Sequence, residues 1–244
     1  MQIDKIKIID FHSHILPGID DGSDSVETSK EMLCSLKEQG VDTVVATPHY
    51  YNFRGSIEQF LENRKNAYDN LSAYLGSAEC DVPDLLLGAE VRLYPDLWRE
   101  ENLDALCIEK TKTILIEMPY EKWSDWMINA VYAVISKGYR VVLAHLERYD
   151  GLVDKKRIFQ GLLEMDVYVQ CNTESFITFS KRHILKKLIK TGRITVIGTD
   201  CHNMDTRRPY MRRALEKIEK KYGNDIICDL MQNAEFLTKP LIKK

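Results

Sequence analysis

The run "IIDFHSHILPGIDDGSDS", residues 8 to 25, ends an apolar stretch in His12 and His14 and carries the adjacent pair Asp20 and Asp21 a few positions on. Such groups are costly to bury unless something binds them. Side chains alternate along extended backbone, so residues i and i+2 share a face and two histidines at this spacing can grip one ion. The same spacing returns in Asp200 and His202 of "GTDCH". Four further candidates stand alone: His49 in "TPH", Glu90 in "GAEV", Glu117 in "IEMP" and His145 in "AHLERY". Imidazole suits Zn, Fe and Mn, while carboxylates move the preference toward harder ions such as Mn²⁺ or Mg²⁺. The mixture suggests more than one metal.

These residues share a place in the pattern. Seven β-branched runs alternate with helical stretches: "KIKIIDF", "VDTVVATPH", "DLLLGAEV", "KTILIEMP", "YRVVLAHLE", "DVYVQCN" and "RITVIGTD". This alternation reads as βα units and a parallel sheet. Every run delivers a candidate ligand at its C-terminal end except the sixth, which ends in the weaker Asn172. In a closed barrel all those ends open onto one face, whereas an open doubly wound sheet gathers ligands only at its switch point. The ring of seven therefore predicts a closed barrel. A single HxH is common by chance, and a lone histidine after a strand is ordinarily a satisfied polar group. Five of the six histidines nevertheless end a predicted strand; the sixth, His183 in "SKRHILKK", lies on a basic helix and reads as solvated.

Helix ends are legible too. Asp24 to Glu27 resembles a capping box opening a helix that stops at Gly40, and Ser56 to Gln59 opens another that stops near Gly76. A third runs from Trp123 to Lys137, an amphipathic stretch from about Arg207 to Tyr222, and a short helix follows Asn224. No Gly/Ser/Pro-rich linker divides the 244 residues, which predicts one domain over 1–244. With 34 basic against 37 acidic side chains there is no electrostatic footprint for nucleic acid. No window approaches a membrane span and the N-terminus lacks a signal peptide, so a cytoplasmic protein without membrane insertion is expected. Cysteines 34, 80, 107, 171, 201 and 228 show no CxxC pairing and read as reduced thiols.

In order and position, "DFHSH", "TPH", "AHLERY" and "GTDCH" resemble the PHP (polymerase and histidinol phosphatase) superfamily. Within it, "HSHILPGIDDGS", "GAEV", "LIEMP" and "HLERY" are similar to the bacterial protein-tyrosine phosphatases encoded with capsule and exopolysaccharide genes. The resemblance spans the chain and implies an α/β fold, a distorted (β/α)7 TIM-like barrel, with three divalent ions, Mn²⁺ by preference and Fe, Zn or Mg as alternatives. It implies one metal held by His12, His14, Glu90 and Asp200, a second by Glu90, Glu117 and His145, and a third by Asp21, His49 and His202. Many PHP enzymes have histidines where Asp21 and Glu117 stand. Asp21 matches the family position, with Asp20 the neighbour to be told apart from it. Arg148 and Arg207 match phosphate-binding positions, and a planar guanidinium meets phosphate oxygens with two parallel hydrogen bonds. The implied substrate is a phosphotyrosine protein, the tyrosine-rich tail of a bacterial tyrosine kinase.

The expected chemistry is attack on phosphorus by a metal-bridging hydroxide, with metals and both arginines holding the other oxygens. Phenol is a fair leaving group, so no general acid is named. Asp10 reads equally as support for a histidine and as a plain strand-end residue. One rival lies in "CHNMDTR", where Cys201 and Arg207 satisfy the CxxxxxR spacing of thiolate phosphatases. Aspartate precedes that cysteine and no glycine lies in the loop, so the signal is weak. Cys201, where a serine is more familiar, should point away from the ligands. Other rivals are histidinol-phosphate hydrolysis on the same scaffold, 3′-end trimming of nucleic acid, C–N bond cleavage by an amidohydrolase, and a metal-stabilised binding module without turnover. The loop "YYNFRGS" after His49 should overhang the mouth, where Tyr50, Tyr51, Phe53 and Arg54 either guide a peptide's phosphotyrosine or, the preferred reading, pack on themselves.

Overall fold

The structure is a computed structural model and describes residues 6–77, 80–149, 156–178 and 182–241, without the side chains of residues 156, 157, 182 and 183. The expectation for His183 therefore lies outside the described side chains. In chain order the strands are β1 (Ile9–Ser13), β2 (Thr43–Ala46), β3 (His49–Tyr50), β4 (Asp84–Leu87), β5 (Glu90–Arg92), β6 (Thr113–Glu117), β7 (Arg140–Leu143), β8 (Val167–Asn172) and β9 (Val196–Gly198). The helices are α1 (Val26–Glu38), α2 (Ile57–Ser77), α3 (Asp125–Ser136), α4 (Lys156–Glu164), α5 (Thr173–Ile177), α6 (Arg182–Lys190), α7 (Met211–Tyr222) and α8 (Asn224–Thr238).

All the strand pairs are parallel and fall into two ladders, β1-β2-β4 and β3-β5-β6-β7-β8-β9. The two ladders are one wall. β2 and β3 are successive pieces of one stave, interrupted at Thr47-Pro48, where proline offers no N–H to a ladder; β4 and β5 are likewise split at Gly88-Ala89. Seven staves result, matching the seven predicted runs. The seam between β9 and β1 closes through the amide of Asp200 donating to the His12 carbonyl at 2.8 Å and that of His14 donating to Cys201 at 2.9 Å. Asp10 latches the same seam: its carboxylate accepts from the Thr199 amide at 2.7 Å and from the Thr199 hydroxyl at 2.5 Å. The same carboxylate accepts from the His12 amide at 3.4 Å, so Asp10 touches both the seam and a histidine of the site. The approach is so close that a Cβ on Gly198 would stand 2.6 Å from the Cβ of His12, which admits only glycine.

Inside the barrel, Ile9, Phe11, Val45, Leu115, Val142 and Val196 pack with Ala234 and Leu237 of α8. That last helix, expected to be short, runs 15 residues. Its buried residues recur at helical spacing: Ala234 and Leu237 close the N-terminal end of the barrel, while Ile227, Leu230 and Met231 pack in a second cluster with α1 and α7. The N-cap of α1 falls one residue later than the predicted box, Ser25 Oγ accepting from the Thr28 amide at 3.2 Å, and the chain leaves the helix at Gly40 with φ 84° as expected. Two of the cysteines stand together: the sulfurs of Cys34 and Cys80, 46 residues apart, lie side by side. Spacing along the chain could not show this pair, because it is the packing of α1 beside α2 that brings the two together. Among the described residues, no helix is long and apolar enough to cross a membrane.

Candidate metal centre

The interior face of β1 changes character halfway along. Asp10 lies opposite Val44 but Ser13 lies opposite Ala46, so β1 carries one extra residue in a bulge. A bulge resets which side chains point inward. Ile9 and Phe11 pack in the core below it, while His12 and His14, of the opposite parity, turn toward the mouth with their Nε2 atoms 3.1 Å apart.

Around this pair the other strand ends converge. Glu90 is the hub: its Oε2 lies 3.3 Å from His12 Nε2, 3.2 Å from His14 Nε2 and 3.0 Å from His49 Nδ1, and its Oε1 2.7 Å from His145 Nε2. Asp200 Oδ1 stands 3.4 Å from His14 Nε2 and 3.7 Å from His12 Nε2. Asp21 Oδ1 is 3.4 Å from His49 Nε2 and 3.6 Å from His202 Nε2, and Glu117 Oε1 is 3.8 Å from His145 Nε2. All nine residues anticipated as ligands are thus in one cluster. Among the described residues, three sets have ligand atoms mutually within 4.8 Å: His12, His14 and Asp200; His14, Asp21, His49 and His202; and His49, Glu90 and Glu117. His14 and His49 each stand in two sets where the resemblance implied one apiece, and His145 joins only through Glu90.

An observation besides proximity bears on what this cluster accepts. His49 Nδ1, Glu90 Oε2 and His202 Nε2 are buried without a hydrogen-bond partner, although they crowd other ligand atoms at ion-pair distances. Buried polar atoms are rarely left so, and a cation among them resolves the arrangement. The carboxylate and imidazole donors fit divalent ions such as Mn²⁺.

A second layer holds the histidines in place. Asp20 Oδ2 lies 2.7 Å from His14 Nδ1 and accepts from the His49 amide at 2.9 Å. Burial works to raise the Asp20 carboxyl, but the His14 imidazole and two backbone amides hold it at about 2. Asp20 is thereby committed to the far side of His14, whereas Asp21 faces His49 and His202. Gln170 does comparable work: its Oε1 lies 3.2 Å from His12 Nδ1 and accepts from the His145 amide at 2.7 Å, and its Nε2 donates to Asn172. Asn172 in turn donates to Asp200 Oδ2 at 2.7 Å. Sequence reasoning missed Gln170. The signal was available, since it sits two residues before Asn172 on the same face of β8. Two ligand candidates hold left-handed backbone, His145 at φ 31° and Asp200 at φ 52°, a cost that tends to collect at functional sites.

The ionisable groups are tightly linked. Burial opposes charge on Asp200, yet His12 and its other cationic neighbours hold it well below the usual carboxylate range. Glu117 moves the other way, raised by burial and by the charge of Glu90. His202 is lowered, chiefly by burial, which favours the neutral imidazole a metal needs.

Both anticipated arginines reach this centre. Arg148 Nη1 donates to Asp200 Oδ2 at 3.0 Å and Arg207 Nη2 lies 2.8 Å from Asp200 Oδ1. About a third of each side chain remains exposed, and the two line a pocket of about 230 Å³ with Thr206 and Tyr210. Tyr120, also missed, covers the Arg148 guanidinium with its ring centroid 5.7 Å away. Cys201 is fully buried in an apolar cluster with Ile15, Met32 and Met211. Burial and the charge of Asp10 push its thiol up, the opposite of what a thiolate nucleophile requires.

Comparison with known proteins places the chain among relatives. Tyrosine-protein phosphatase YwqE of Bacillus subtilis is 30% identical over 239 residues, covering 95% of this chain and 92% of its own. Tyrosine-protein phosphatase CpsB of Streptococcus pneumoniae is 29% identical over 229 residues, covering 88% and 91%. A crystal structure from work on YwqE and CpsB, described as unique metal-dependent tyrosine phosphatases, superposes with a TM-score of 0.84 at 28% identity over 97% of this chain and 96% of that one. At 13% identity and a TM-score of 0.54, a phosphotriesterase homology protein from Escherichia coli shares the fold over 97% of this chain and 100% of its own. The family model for capsular polysaccharide synthesis proteins, CpsB/CapC, matches residues 8–239, and the chain belongs to that family.

Proposed function

We propose that the protein is a metal-dependent protein-tyrosine phosphatase and that the mouth of its barrel is the active site. The observation that carries this reading is the convergence of five histidines and four carboxylates beside two guanidiniums that share Asp200. The relatives named above are tyrosine-protein phosphatases, and one description calls them metal-dependent.

His12, His14, Glu90 and Asp200 would hold one ion, Glu117 and His145 a second shared through Glu90, and Asp21, His49 and His202 a third, with Mn²⁺ the preferred species. When bound, the ions supply Lewis acidity and a water of lowered pKa. The chain's own residues do the rest. Arg148 and Arg207 bind the phosphoryl oxygens through their exposed N–H groups, and pairing with Asp200 fixes both guanidiniums before substrate arrives. Asp20 and Gln170 fix the tautomer and ring orientation of His14 and His12. The whole chain acts as one phosphatase domain on a phosphotyrosine protein in the cytoplasm, a bacterial tyrosine kinase being the preferred partner.

The test is phosphate release from a phosphotyrosine peptide, a phosphoserine peptide and histidinol phosphate by the Mn²⁺-supplied protein. The phosphotyrosine peptide should be preferred by kcat/KM. A higher kcat/KM on histidinol phosphate would replace the reading with that of a small-monoester phosphatase.

A further inference from the structure

The loop after β3 does more than overhang the mouth. The Tyr51 ring stacks on the His49 imidazole with centroids 4.9 Å apart and planes at 22°, and the Phe53 ring stacks on Tyr51 at 5.4 Å and 16°. A row of three rings thus starts at a metal-capable histidine and runs outward. Tyr51 is half-buried, so packing of the loop on itself accounts for that ring. It does not account for Phe53, which is 68% exposed.

Two cations attend the same row. The Arg54 guanidinium lies 4.6 Å from the Tyr51 ring centre, and that of Arg92, on β5, lies 6.0 Å from Tyr51 and 5.8 Å from Phe53. Stacking on an aromatic face leaves the in-plane N–H donors of a guanidinium free for an anion. Among the described residues, neither arginine has a carboxylate within 4.0 Å, unlike Arg148 and Arg207, which both hold Asp200. The mouth therefore has an inner pair of arginines engaged at the reacting centre and an outer pair without an acidic partner, with exposed aromatic surface between.

We propose that Tyr51, Phe53, Arg54 and Arg92 form a subsite of the active site, in which the rings receive the phenyl group of a phosphorylated tyrosine and the two guanidiniums an acidic residue beside it in the peptide. This rests on the phosphatase reading above. Aromatic pairing and charge complementarity are the two sources of recognition, and each can be removed separately.

The test measures binding by calorimetry to the Mn²⁺-supplied protein, so that it does not depend on turnover. The probes are benzylphosphonate, in which a methylene replaces the ester oxygen, and methylphosphonate, which lacks the ring. The wild type should bind benzylphosphonate about tenfold more tightly, and Phe53→Ala should lower that ratio roughly three- to tenfold with methylphosphonate unchanged. The Arg54→Ala/Arg92→Ala double variant should raise KM about tenfold for a phosphotyrosine peptide flanked by glutamate, leave kcat unchanged, and have little effect on the same peptide flanked by alanine. A wild type with no preference for the benzyl compound, or a Phe53→Ala that weakens both phosphonates equally, would overturn the subsite even if phosphotyrosine is hydrolysed. Retained benzyl preference, lost in Phe53→Ala, in a protein that releases no phosphate from the peptide would support the subsite and count against the phosphatase reading alone.

Discussion

The two ends of this barrel are built from the same alternating strands and use them in opposite ways. At the N-terminal end Ile9, Leu115, Val142 and Val196 meet Ala234 and Leu237, and polar contacts such as the Thr113 hydroxyl donating to the Leu237 carbonyl at 2.7 Å are satisfied. At the C-terminal end staves are interrupted, β1 bulges, His145 and Asp200 take left-handed backbone, and ionisable groups crowd within ion-pair distance. Burying such groups costs stability. Apolar packing, at the N-terminal end and in the walls, offsets what the C-terminal end costs.

Variants at the mouth should separate activity from stability. His14→Ala, which removes a residue from two of the three ligand sets, should lower kcat/KM on a phosphotyrosine peptide by on the order of 10³-fold or more. The thermal midpoint of the metal-free protein should fall little, because a crowded buried group is deleted; steady-state kinetics paired with calorimetry reads both. Arg207→Ala should cost on the order of 10²-fold, with the metal content unchanged. Asp20→Ala should lower metal affinity or activity roughly 10- to 100-fold, since it frees the far side of His14. The same change at Asp21 should act through loss of an ion, so metal analysis of the two variants tells neighbour from ligand.

The other end should show the reverse behaviour. Leu237 is fully buried, and Leu237→Ala should cost about 2–5 kcal/mol of stability in denaturant unfolding while kcat/KM at 25 °C stays within about twofold. A comparable loss of activity would mean the two ends are coupled. Smallest of all, Cys201→Ser should leave kcat/KM on the phosphotyrosine peptide within about twofold; inactivation would restore the thiolate rival.

Sequence revealed most of the frame because the signals were local and repeated. Seven β-branched runs announced seven staves, and Gly40 marked a helix end that the structure keeps. It also named residues that meet at the mouth, most of them because each ends a run, whereas Asp21, Arg148 and Arg207 lie beyond the runs and came from the resemblance. What it concealed depends on contacts between distant segments. Gln170 bonds His12 across 158 positions, and Asp10 bonds Thr199 across 189. Asp20 and Asp21 are indistinguishable by type, and only the turn that presses Asp20 against His14 separates their roles. The bulge in β1 was equally hidden, because the extra residue is defined by its partner strand. α8 was underestimated because part of it closes an end rather than covering a wall.

If the mouth works through bound divalent ions, activity should follow their supply. The most direct measurement is phosphate release from a phosphotyrosine peptide after exhaustive treatment with EDTA, followed by titration with Mn²⁺. No release is expected in chelator, and addition of Mn²⁺ should restore it in the wild type and not in His14→Ala. Full activity in excess EDTA would contradict a role for the ions.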